Sequence, residues 1–143
     1  SPQAVRSFAP GQTRGISISG NLPPQDALPR IDLTINFEFD SDKLTNDGWI
    51  AMQALGKAMQ DPRLAGMDFR IAGHTDGRGE AGYNRDLSMR RARTVVRHLT
   101  RYYSIAPERL FPEGYGESQL VYPDDPANPI NRRVEIINLT PLS

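Results

Sequence analysis

Ile31, Leu33, Ile35, Phe37 and Phe39 alternate strictly with Asp32, Thr34, Asn36 and Glu38. A period of two with one apolar face marks a half-buried strand. It runs into Asp40-Ser41-Asp42, a turn. Thr45 is then placed to N-cap a helix reaching about Gln60, with Trp49, Met52, Leu55 and Met59 as its apolar stripe and Asp61-Pro62 as its stop. Met67, Phe69, Ile71 and Gly73 alternate again and predict a second strand. A glycine-rich turn follows, and then a long amphipathic helix from about Tyr83 to Tyr103. Leu110 to Tyr115 predicts a short strand, and Arg133 to Leu139 a last one that closes the sheet.

A strand, a helix and a strand with short connections imply a right-handed crossover and a parallel pair. The carboxyl ends of such strands point the same way, and ligands bind beyond them. Asp40 and Asp76 both lie just past those ends, so the geometry brings two carboxylates to one rim. On a wheel of about 100° per residue, Asn84, Leu87, Ser88, Arg91, Ala92, Val95, Val96 and Leu99 share one half of the long helix. Arg90, Arg93, Arg97 and Arg101 share the other and read as solvated charge. Arg91 faces inward, where a cation is costly unless paired or hydrogen-bonded. Its candidate partners are Asp76 and a ligand.

Composition narrows the function. Seventeen basic residues balance seventeen acidic ones, which argues against a general polyanion binder. Without cysteines there is no disulfide, thiolate metal site or cysteine nucleophile. No apolar run approaches the roughly 18 residues of a membrane span, and no signal peptide opens the chain. A membrane is therefore expected to be reached only through a region outside these residues. Residues 1–30 are rich in Pro, Gly, Ser and Gln and read as a linker or surface arm, with Gly15 to Gly20 alternating as a short edge strand would.

Gly73-His74-Thr75-Asp76, Gly79, Asn84, Leu87-Ser88, Arg91-Ala92, Val95 and Leu99 fall at the spacing of a known family. Further matching segments are Phe37-Glu38-Phe39-Asp40-Ser41, Gly114-Tyr115-Gly116-Glu117 and Asn131-Arg132-Arg133-Val134-Glu135. Over about residues 31–139 the chain resembles the OmpA-like C-terminal domain, the peptidoglycan-binding module. The resemblance implies an α+β two-layer sandwich of βαβαβ type over residues 31–143, with helices on one face of a small mixed sheet. It implies non-covalent binding of peptidoglycan through the diaminopimelate of the stem peptide, in the periplasm or envelope and associated with the outer membrane, without cofactor or metal. A diaminopimelate end carries an ammonium and a carboxylate on one carbon; Asp76 suits the first and Arg91, through two parallel hydrogen bonds, the second. Thr75 and Asn84 are supporters, Leu87 a wall, and Arg132 is implied to line the same cleft.

Plainer readings stand beside these. Asp76 before Gly77 also suits a turn-former, Asn84 a helix cap, and Asp40 either a second anion or a turn residue. Arg133, alternating to the opposite face, reads as structural. His74 with Asp76 gives two candidate metal ligands where zinc sites need three or four, so His74 and His98 read as satisfied structural histidines. The arginine-rich helix lacks the aromatic platform expected for nucleic acid. The rival functions are a wall hydrolase, which needs His74, Asp76 and Asp40 to converge, and a protein-interaction domain without the ligand. The proline-rich stretch Ser118 to Ile130 departs from the family pattern and is a candidate to reshape one wall of the pocket.

Overall fold

A computed structural model describes residues 17–18 and 31–140, with side chains from residue 33 onward. In chain order the elements are β1 (Ser17–Ile18), β2 (Ile31–Asp32), β3 (Thr34–Asn36), α1 (Asn46–Met59), β4 (Phe69–Gly73), α2 (Ala81–Tyr103), β5 (Leu110–Gly114) and β6 (Arg133–Asn138). β1 and β2 form an antiparallel ribbon. The rest of the expected arm, residues 1–30, lies outside the described residues.

The main sheet has the order β3-β6-β4-β5. β6 is antiparallel to both of its neighbours, while β4 and β5 are parallel. This corrects the expected pairing: β3 and β4 are not partners, because β6 fills the place between them. They still run in one direction, so their carboxyl ends do share a rim. The result is an α+β fold, two helices on a four-stranded mixed sheet.

The core lies between sheet and helices. Ile35 and Phe37, Phe69 and Ile71, Val134 and Ile136 pack against Met52, Leu55 and Met59 of α1 and Val95 and Leu99 of α2. Trp49 departs from its expected place in this stripe. It is half exposed and meets His98 of α2 edge-on. The strand alternation likewise stops short of Phe39, which is exposed. Phe37 bridges back to Leu44 and Asp40 adopts a positive φ of 51°, so the chain reverses and leaves Phe39 on the rim. Thr45 caps α1 as expected, its hydroxyl accepting from the Gly48 amide at 3.0 Å.

α2 rests on the end of β4 with no room for a side chain between them. A Cβ on Gly73 would stand 1.9 Å from the Ser88 carbonyl oxygen. Gly73→Ala is therefore expected to cost about 3 kcal/mol, the upper range for overpacking. Gly82→Ala, on α2 where a Cβ would meet nothing within 4 Å, is expected to be neutral or slightly stabilising. Urea denaturation of both variants checks the contrast.

Candidate functional site

At the rim beyond β3 and β4 lies a cavity of about 260 Å³. All seven residues expected at a binding site line it: Asp40, Thr75, Asp76, Asn84, Leu87, Arg91 and Arg132. Sequence reasoning missed Phe39, Arg78, Gly79 and Tyr83, which complete the wall. A signal for Arg78 was present. It stands two residues after Asp76 in a turn, where an aspartate side chain folds back on the following backbone.

Arg91 is wholly buried, yet it does not pair with Asp76. Its Nε donates to the Ser41 carbonyl at 2.8 Å, Nη1 to the His74 carbonyl at 2.8 Å and Nη2 to the Glu38 carbonyl at 2.9 Å. The loop after β3 and the end of β4 thus converge on one guanidinium. Burial, and then the like charge of Arg132, push its pKa down to about 10, so it remains a cation at neutral pH. It belongs to no ion pair among the described residues.

Asp76 is occupied differently. Its Oδ1 accepts from the Arg78 amide at 3.0 Å, and its Oδ2 from Arg78 Nη2 at 2.8 Å and Arg132 Nη1 at 3.2 Å. Burial raises its pKa, but these hydrogen bonds outweigh that and hold the carboxyl below its usual range. The turn-forming and charge-bearing readings of Asp76 are therefore both realised. Arg132 is fixed from its other side, Nε donating to the Phe37 carbonyl at 3.1 Å. Arg78 lies over the Phe39 ring, 3.9 Å from its centroid.

Asn84 does not cap α2, which begins after Glu80 without any side-chain cap. Its Nδ2 instead donates to the Arg78 carbonyl at 2.8 Å and to Glu117 at 2.7 Å. That fixes the turn carrying Asp76. Gly79, at φ 95°, provides the left-handed step this turn requires. Thr75 donates from its hydroxyl to the Asp76 carbonyl. Asp40 accepts from the Tyr83 hydroxyl, so its carboxylate is tethered at the rim. Leu87 is buried and forms the apolar wall.

His74 points away from the cavity. It is buried, stacks on Tyr115 at 5.4 Å between centroids, and holds Nε2 3.5 Å from Glu135. The expectation of a satisfied histidine is corrected here, since neither ring nitrogen has a hydrogen-bond partner. Burial pushes its pKa down. Asp40 and Asp76 share the cavity without it, so the hydrolase constellation does not form. Arg133 is structural as expected, bonded to Glu135 and to the carbonyls of Asn131 and Gln119. His98 sits among Trp49, Tyr102 and Tyr103. The proline-rich stretch backs the site rather than lining it. Its Pro126 carbonyl accepts from the Gly77 amide at 2.7 Å, and buried Asn131 holds it through Tyr122, Asp125 and Pro126.

The profile of the OmpA family matches residues 36–133. Outer membrane porin F of Pseudomonas aeruginosa is 32% identical over 129 residues, 88% of this chain and 36% of the porin. The peptidoglycan-associated lipoprotein of the same organism is 35% identical over 122 residues, 84% of this chain and 70% of the lipoprotein. The chain thus spans about a third of the porin's length. The C-terminal domain of Helicobacter pylori MotB superposes with a TM-score of 0.65 at 27% identity, covering 76% of this chain and 84% of that one.

Two stability predictions follow from the site's geometry. Arg91→Met strips three backbone carbonyls of their donor. At about 1–3 kcal/mol per unsatisfied group, a loss of at least about 3 kcal/mol is expected in urea titrations; a loss below 1 would mean that water from the cavity replaces the guanidinium. The second concerns pH. His74 has a folded pKa lowered from 6.5, and Glu135, where the His74 contact and the Arg133 charge outweigh burial, one lowered from 4.5 to about 2. Both groups contribute stability above their unfolded pKa values and lose it as pH falls. Stability is expected to decline from about pH 6.5 downward, in two stages ending near pH 2. His74→Phe should remove the upper stage and also shrink the lower, since Glu135 then keeps only Arg133 to hold its pKa down.

Proposed function

Because this chain belongs to the OmpA family, we propose that its cavity binds peptidoglycan non-covalently, taking the free end of a diaminopimelate in the stem peptide. The observation that carries this reading is Arg91, a buried guanidinium that borders the cavity and belongs to no ion pair among the described residues. Arginine has five N–H donors, and three are taken by carbonyls. One remains on each terminal nitrogen, the number that the two oxygens of a ligand carboxylate would take. Because the carbonyls already fix the guanidinium, little conformational entropy is lost on binding.

Asp76 takes the ligand ammonium, with Asp40 as a second anion on the rim. Arg132 holds Asp76 in place, Leu87 meets the aliphatic chain, and Thr75 and Asn84 keep the turn in shape. This is a binding site and not an enzyme's: it holds no nucleophile with its base. The similar lipoprotein is named as peptidoglycan-associated and the similar porin as an outer-membrane protein. In this reading residues 31–143 form the binding domain and tether an envelope protein to the cell wall.

Co-sedimentation with insoluble diaminopimelate-type wall tests the proposal. Asp76→Ala is expected to weaken binding by about 2 kcal/mol, roughly thirtyfold, while Arg93→Ala, on the exposed face of α2, should bind as the parent does. Wall with lysine in the stem lacks the carboxylate assigned to Arg91 and should bind about thirtyfold more weakly. Retention of wall by Asp76→Ala, or equal binding of the two wall types, would sink the assignment.

A further inference from the structure

The cavity, at about 260 Å³, falls just below the roughly 300–1,000 Å³ of ordinary small-ligand sites. It has room for the end of one residue, so the rest of a stem peptide must cross the rim. Phe39 and Arg78 are exposed on that rim, at 53% for Phe39 and 47% for the Arg78 side chain. Asp76 meanwhile shares Oδ2 between Arg78 and Arg132. An ammonium that takes Oδ2 displaces one of them.

The two are not equally held. The Arg132 side chain is 12% exposed and is anchored to the Phe37 carbonyl. Arg78 makes a half-exposed ion pair that solvent screens, and its guanidinium also rests on the Phe39 ring. Arg78 is the group that yields, and Phe39 keeps it at the rim when it does. Charge then decides what it meets. Three guanidiniums, of Arg78, Arg91 and Arg132, line the cavity against two carboxylates, of Asp40 and Asp76. A zwitterionic ligand end leaves that excess of one positive charge uncompensated, whereas a ligand with one more carboxylate cancels it.

We propose that Arg78 is a specificity-determining residue, exchanged from Asp76 for the ligand ammonium and then reading a second carboxylate of the stem peptide, on the residue that precedes diaminopimelate. The inference rests on the stem-peptide reading above and adds a requirement to it. A bound peptide with that carboxylate free is distinguished from one in which it is amidated, although both carry the same diaminopimelate end. The stack on Phe39 makes the planar group part of the device, because an ammonium in its place cannot keep ring contact and a two-point grip together.

Calorimetry with two synthetic tripeptides tests this: L-alanyl-γ-D-glutamyl-meso-diaminopimelate, and the same peptide amidated at the glutamate α-carboxyl, both blocked as an amide at the diaminopimelate carboxyl of the peptide-linked centre. The parent protein is expected to prefer the free carboxylate about fivefold to tenfold at low salt, with the preference shrinking as salt rises. Arg78→Ala should bring the ratio of affinities to about one, and Arg78→Lys should keep only a part of it. Arg78 is exposed, so the variants should fold, and matched thermal melts confirm that they do. Equal affinities in the parent, or an undiminished preference in Arg78→Ala, would overturn the role of Arg78 and leave the diaminopimelate site standing. Failure of the parent to bind either peptide would overturn the stem-peptide reading and this inference with it.

Discussion

The three hydrogen bonds from Arg91 to backbone carbonyls hold the site end of the molecule together. Glu38 and Ser41 belong to the loop leaving β3, and His74 sits where β4 ends. β3 and β4 are separated by β6 and make no ladder with each other. Beyond the sheet, the side chain of α2 does what a ladder would otherwise do, fixing the distance between the turns that carry Asp40 and Asp76. Three carbonyls take three of the guanidinium's five donors and do not neutralise its charge. The interaction that closes the fold therefore leaves a positive field in the cavity.

A graded set of arginines surrounds that field. Arg91 is buried and held by three carbonyls, Arg132 nearly buried and anchored on one side, and Arg78 half exposed on an aromatic ring. The energy needed to move each one falls in the same order. The cavity is therefore lined by one fixed guanidinium, one partly anchored and one free to adapt. Zero net charge over the whole chain conceals this local excess, since the balancing carboxylates lie elsewhere on the surface.

The opposite face of the sheet supports the same rim by different means. Strand alternation places Arg133 and Glu135 there with His74, and Tyr115 covers the histidine. Arg133 reaches the Gln119 carbonyl, and Asn131 staples the turn-rich segment from Tyr122 to Pro126. That segment accepts from the Gly77 amide, directly beside Asp76. The loop that departs from the family pattern thus braces the turn that carries Asp76 from behind. The cavity can be braced in this way without a change in the residues that line it.

Periodicity in the sequence determined the elements, the buried face of each, the inward position of Arg91 and the shared rim of Asp40 and Asp76. Those are properties of neighbouring residues and of strand direction, and a local pattern encodes them. Every residue expected at the site does line the cavity. What tertiary structure alone decided is who bonds to whom. Arg91 went to carbonyls and Asp76 to Arg78 and Arg132, because backbone acceptors from two separate loops outcompeted a carboxylate that had nearer cations. Trp49 fell outside the core and β6 between β3 and β4 for a similar reason. Helix crossing and strand order are set by contacts between segments far apart in the chain, and no local pattern carries them.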